Sequence, residues 1–188
     1  PTPTRAEISD IANAVIDGAD AIVLAEGVSQ GDHLKRALEL TANTIATTEA
    51  KGITVNWQKT PTSIQSEMEA VTYHAYKTAE RLNAKAIVCL TKEGNTALQV
   101  ASYRPPIPII ALTFSGETKR YLKMVRGVFP ILLEELPQLD EVLEVSDGVL
   151  RDFKGIDVGD PYVFIMVTIS PLSNESSNLF IARRVESA

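Results

Sequence analysis

Cysteine is nearly absent from this chain of 188 residues: Cys89 is its one example. A single thiol rules out an internal disulfide framework and a multi-cysteine metal site, and it fits a reducing, cytoplasmic setting. Histidine occurs only twice, at His33 and His74, and no His–His or carboxylate–His spacing suggests a metal or a general base. No basic run exists and the formal net charge is −6, so nucleic acid is not an expected partner. No apolar run approaches the ~20 residues of a membrane span. No signal-peptide pattern stands at the start, and Pro1-Thr2-Pro3-Thr4 without an initiator Met points to a processed or excised segment. Tryptophan is limited to Trp57, which either plugs a linker onto a neighbouring domain or stands half-exposed.

What is present is an ordinary globular composition, 45% hydrophobic and 22% charged, enough for a well-filled core. Thr4 with Glu7 three positions later is a capping box, and Ile8, Ile11, Ala12, Val15 and Ile16 follow at helical spacing up to Gly18. Ala21–Leu24 reads as a short buried strand, and Ala25 to Asp32 as a loop. His33 to about Glu49 reads as a second helix, with His33 a solvated first-turn residue. One strand cannot satisfy its own edges, so residues 1–50 need partners from elsewhere. Residues 51–62, with Gly52, Asn56 and Pro61 and no period, read as a linker.

From Ser63 the pattern changes. A long helix to about Leu82 carries the stripe Ile64, Met68, Val71, Ala75, Ala79 and Leu82, with His74 beside it as a rim residue. Strands at Ala86–Leu90, Ile107–Leu112, Val128–Leu133 and Tyr162–Ile169 alternate with helices over Thr96–Tyr103, Glu117–Val125 and part of Glu134–Phe153. A final strand, Asn178–Val185, follows a polar loop that is too short for a crossover helix. The reading is an α/β fold: three layers with a mixed five-stranded sheet, mostly parallel with the last strand antiparallel. Cys89, inside the first apolar run, belongs to the core, where burial raises a thiol's pKa.

Ligands of such sheets sit beyond the carboxyl ends of the strands. That places Thr91–Thr96, Thr113–Gly116 and Ser170–Ser177 along one rim. Thr91, Lys92, Gly94, Asn95 and Thr96 form a hydroxyl- and Gly-containing turn into a helix, where unpaired N–H groups can hold an anion. Ser170 and Ser173 lie on the opposite wall. Two readings stand for this turn: a phosphate site, or a capped turn that binds nothing.

Pro3-Thr4-Arg5-Ala6-Glu7, Ser9-Asp10-Ile11-Ala12-Asn13-Ala14-Val15 and Asp17-Gly18-Ala19-Asp20 together resemble the signature PTRAExSDxANAVxDGxD of pyruvate kinases. Thr91, Gly94, Thr96, Ala97, Tyr103-Arg104-Pro105, Pro108-Ile109-Ile110-Ala111 and Thr113 resemble that family's C-terminal domain, as do Arg126-Gly127-Val128-Phe129-Pro130 and Gly159-Asp160. The resemblance implies that residues 1–50 are the helix–strand–helix end of a (β/α)8 TIM barrel, and that residues 63–188 are the C-terminal effector and assembly domain. The family transfers phosphoryl between phosphoenolpyruvate and ADP with Mg²⁺ and K⁺, and is usually tetrameric. Its metal carboxylates and catalytic lysine lie in earlier barrel strands, so the resemblance assigns this chain no catalytic residue and no metal ligand. A homo-oligomer is expected, with Arg5 and Phe180 as interface residues, although Arg5 also reads as a solvated first-turn residue. A sugar phosphate or nucleotide is the expected effector.

Two departures from the family stand out. Ala25-Glu26-Gly27 occupies the place of the family's Ser-Gly-Glu, whose serine is proposed to relay a proton near the active site; Ala25 has no hydroxyl. Glu93 stands where a small hydroxyl residue is common, and a carboxylate opposes a phosphate by roughly 1–4 kcal/mol at about 4 Å. The loop Ser170–Ser177 also lacks the glycines and arginine of strong effector binders.

Overall fold

The computed structural model describes residues 3–25, 28, 31–51, 63–134, 139–169 and 176–187. The chain divides into two compact units, Pro1–Lys59 and Thr60–Ala188.

The first unit contains helices α1 (Arg5–Ile16) and α2 (Leu34–Ala50), which contact each other. The capping box forms as the sequence indicates. The Thr4 side chain accepts from the Glu7 N–H at 3.3 Å, and Glu7 accepts from the Thr4 N–H at 2.7 Å. Gly18, at φ +87°, ends the helix in the left-handed region. Ala21–Leu24 does not form the expected strand. A strand is defined by its ladder, and no described residue of this unit supplies one. Val23 is 89% exposed, and α1 buries no residue at all. Among the described residues of this unit only Thr41 is buried, so they form no apolar core of their own. The linker over 51–62, including Trp57, lies outside the described residues apart from Lys51.

The second unit runs α3 (Glu67–Arg81), β1 (Ala86–Leu90), α4 (Asn95–Ser102), β2 (Ile109–Thr113), α5 (Gly116–Leu122), β3 (Val128–Leu132), α6 (Leu139–Arg151), β4 (Pro161–Ile169) and β5 (Ser176–Arg184). Helix α3 starts three residues later than its apolar stripe suggests. Ser66, not Ser63, caps it, with its hydroxyl accepting from the Glu69 N–H at 3.1 Å. Glu69 accepts in turn from the Gln65 N–H at 2.7 Å, so the first turn is fastened at Ser66 and leaves Ile64 outside, 45% exposed.

The sheet order is β3-β2-β1-β4-β5, with every pair parallel except β4–β5. Alternation along β1 fills two cores. Ile87 and Cys89 join Ala75, Ala79, Ala97, Val100 and Leu122 from α3, α4 and α5. Ala86, Val88 and Leu90 join Val142, Leu143 and Leu150 from α6. Helices on both faces of one sheet give the three layers. Cys89 is fully buried, and burial pushes its thiol far above the ordinary range, as a core residue requires.

Candidate functional site

β1 is the strand at which the chain's course across the sheet reverses. The chain moves from β1 to β2 to β3 on one side, then returns to place β4 on the other side of β1. The crevice of an open α/β sheet lies at this switch, beyond the carboxyl ends of the two flanking strands. The turn after β1 forms one wall of it. The turn after β4 would form the other, and Ser170 and Ser173 there lie outside the described residues.

The turn after β1 is built from buried parts. Thr91 continues the strand by donating its N–H to Leu112 O at 2.9 Å, and its Oγ1 accepts from the Gly94 N–H at 2.9 Å. Gly94, the N-cap of α4, sits at φ +91°, which closes the turn tightly enough for that bond. No side chain caps α4, so the N–H groups of its first turn have no intrahelical partner. Thr91 and Thr96 are buried, while Lys92, Glu93 and Asn95 are exposed.

Thr113, already expected on the rim, and Thr118, which no local pattern singled out, hold this turn in place. Thr118 Oγ1 donates to Lys92 O at 2.8 Å, and Thr113 Oγ1 reaches the same carbonyl at 3.4 Å. Ser115 caps α5 through the Thr118 N–H at 3.2 Å. The expected anion groups therefore split. The Thr91 hydroxyl is engaged within the turn, whereas Lys92 and the start of α4 face outward. Asn95 Nδ2 donates to Glu93 Oε2 at 3.4 Å, which keeps that carboxylate at the helix start, where the dipole favours negative charge. Glu93 thus sets a carboxylate beside the helix start that an anionic ligand would seek.

A concavity of about 330 Å³ opens between this turn and the turn after β2, lined by Lys92, Glu93, Ser115, Glu117, Thr118 and Tyr121. It lies on the β2 side of β1, away from the switch, and its lining carries two carboxylates against one ammonium. Among the described residues no group of three His, Cys, Asp or Glu side chains comes together to hold a metal ion. No described helix is long and apolar enough to cross a membrane. His74 is exposed against the edge of Tyr73. Of the two expected interface residues, Arg5 is exposed in the first turn of α1, and Phe180 is 38% exposed on the edge strand β5.

The family model for the pyruvate kinase alpha/beta domain matches residues 69–180, more than half of the chain. The chain belongs to the pyruvate kinase family. The model for the pyruvate kinase barrel domain matches residues 1–38. Pyruvate kinase 2 of Synechocystis is 34% identical over 176 residues, which cover 94% of this chain and 29% of that protein. Pyruvate kinase of Thermotoga maritima is 38% identical over 161 residues, 85% of this chain and 34% of its own length. The crystal structure of Cryptosporidium parvum pyruvate kinase superposes with a TM-score of 0.82 at 28% identity, over 98% of this chain and 36% of that one. The chain thus spans about a third of the length of the pyruvate kinases it matches, and the part it covers is their C-terminal region.

Proposed function

We propose that this chain serves in effector response and subunit assembly of a pyruvate kinase and is catalytically silent alone. In this reading, phosphoryl transfer from phosphoenolpyruvate to ADP, giving pyruvate and ATP, belongs to barrel segments that carry the family's metal carboxylates and lysine. A sugar phosphate or nucleotide is held at Thr91, Lys92, Gly94, Asn95 and Thr96, with Ser170 and Ser173 opposite. The observation that carries this reading is the turn after β1. It stands at the switch point of a parallel sheet, its Gly94 is left-handed, and an outward Lys92 flanks a helix start with no side-chain cap. Calorimetric titration of the chain with a sugar bisphosphate and with adenine nucleotides tests it. Saturable heat is expected for one of them, and no heat at millimolar ligand overturns the site. Mixed with Mg²⁺, K⁺, phosphoenolpyruvate and ADP, the chain is expected to produce no pyruvate; pyruvate formation overturns the silent role.

A second reading, an assembly module that binds a copy of itself, is favoured by β5. This strand pairs only with β4 among the described residues and leaves Phe180 exposed at the sheet edge. Sedimentation is expected to show a concentration-dependent dimer or tetramer, and a monomer at every concentration removes this reading.

A further inference from the structure

Between Glu117 and Glu134 the chain has no acidic residue, although it holds 24 among its 188 positions. Lys119, Arg120, Lys123 and Arg126 fall in that stretch, so a chain of net charge −6 gathers cations at one place. α5 brings the first three together. Thr118 and Leu122 turn inward and are buried, and Val125 packs on the same core. The Met124 N–H donates to Tyr121 O and the Val125 N–H to Leu122 O, both at 3.1 Å, which carries the winding past Leu122 as a tighter turn. Lys119 and Lys123 stand four positions apart, and Arg120 and Lys123 three, so their side chains emerge as neighbours. Arg120 and Lys123 are exposed, and neither forms an ion pair among the described residues. α5 packs on β2 and β3, and β3 ends the sheet at the edge opposite β5. This face is therefore separate from the strand edge proposed for self-association.

A helix C-terminus favours cations, and that accounts for Lys119 and Arg120 in the last turn of α5. It does not account for Tyr121 and Met124, which lie among the cations 49% and 61% exposed. Tyr, Met and Arg are the residue types enriched where proteins dock. We propose that this face docks a short acidic segment of another protein, with Arg120 and Lys123 taking its carboxylates and an apolar side chain resting against Tyr121 and Met124. Charge decides the class of partner. A membrane surface or a nucleic-acid duplex extends beyond the patch and meets the acidic remainder of the chain, which repels it. A short peptide meets the patch alone. The Arg120 guanidinium can hold a carboxylate by two parallel bonds, which fixes the orientation of the segment. Glu117, three positions before Arg120, repels the same carboxylates, so the acidic residues lie toward Lys123.

Fluorescence anisotropy of a labelled peptide of Glu and Asp around one central Trp, titrated with the chain, tests the face. Saturable binding is expected at about 50 mM salt and should weaken several-fold at about 500 mM. The double variant Arg120→Glu, Lys123→Glu should bind roughly tenfold more weakly, and Met124→Ser several-fold more weakly. Circular dichroism checks that each variant is folded; should the charge-reversed variant fail to fold, Arg120→Gln with Lys123→Gln takes its place with the same expected direction. No saturable binding by the parent at millimolar peptide overturns the proposal, and so does an unchanged affinity in a folded charge variant. Tighter binding of duplex DNA or of phosphatidylserine vesicles than of the peptide also overturns it, because the patch would then serve an extended polyanion.

Discussion

Replacing Gly94 by alanine places a side chain where the β1 turn has no room for one. At φ +91° and ψ −10°, a residue with a Cβ gives up roughly 1–2 kcal/mol in left-handed backbone strain. The added Cβ would lie 3.2 Å from Leu122 Cδ2 and 3.4 Å from Thr118 Cγ2. Leu122 is fully buried in the core that α3, α4 and α5 share, so it cannot swing away, and a further fraction of a kcal/mol is lost in crowding. Alanine also narrows the unfolded ensemble, which returns about 0.4–1 kcal/mol. The net expectation is a loss of about 1–2 kcal/mol.

Urea unfolding followed by far-UV circular dichroism reads this loss. With a slope of roughly 1–3 kcal/mol per molar, the midpoint should fall by about half a molar or more, with the slope unchanged. Asparagine tolerates the left-handed region better than alanine, so Gly94→Asn should fall between the parent and Gly94→Ala. A midpoint for Gly94→Ala equal to or above the parent's would refute both the strain and the close approach to Leu122.

Three further outcomes follow from the same geometry. Thr91→Val keeps the shape but deprives the Gly94 N–H of its acceptor at a buried position, so a loss of about 1–3 kcal/mol is expected in the same urea assay. Glu93→Ser removes a carboxylate from the start of α4; because Glu93 is exposed, the low end of the Coulomb range applies, about 1 kcal/mol, and calorimetry should show roughly fivefold tighter binding of a sugar bisphosphate. Glu7 is held below the ordinary carboxylate range, first by its bond to the Thr4 N–H and then by the Thr4 hydroxyl. Its contribution is present above the unfolded value of about 4.3 and is lost as pH falls through the lower folded value, so acid titration of α1 helicity should be flatter in Glu7→Gln.

Local chemistry made much of this fold legible. Thr4 and Glu7 announce their helix by a reciprocal cap that needs nothing but adjacent residues, and it forms. Ala86–Leu90 is uniformly apolar because both faces of β1 are covered, and all five residues are buried. Ala21–Leu24 carries a similar local signal, yet strand formation depends on a neighbour, which no described residue of that unit supplies. At the start of α3, two serines compete; Ser66 is the one that finds a first-turn N–H to accept from, and the apolar stripe begins too early to show it. The long-range polar contacts are illegible in principle. Thr118 meets Lys92 O across 26 residues, and Asp147 meets Arg183 across 36. Neither pair has a spacing that a helix or strand period would mark. What the sequence contains at the site is the turn; what holds the turn is decided by α5.

The rim offers an anionic ligand two places: the concavity between the β1 and β2 turns and the switch point between β1 and β4. The helices after β1 and β2, α4 and α5, both pack on the face that holds Val100 and Leu122. Their turns are therefore drawn together and closed by the Thr118–Lys92 bond, which leaves a concavity with Glu93 and Glu117 in its lining. β4 is reached from α6, on the opposite face with Val142 and Leu150. Phosphate recognition is then expected on the β4 side, out of reach of Glu117. Glu117→Gln should leave the sugar-bisphosphate titration unchanged while Lys92→Ala weakens it several-fold, because Lys92 borders both crevices and Glu117 only one. If Glu117→Gln tightens binding as Glu93→Ser does, by the same loss of one repelling charge, the ligand sits in the β1–β2 concavity and the switch-point assignment is wrong.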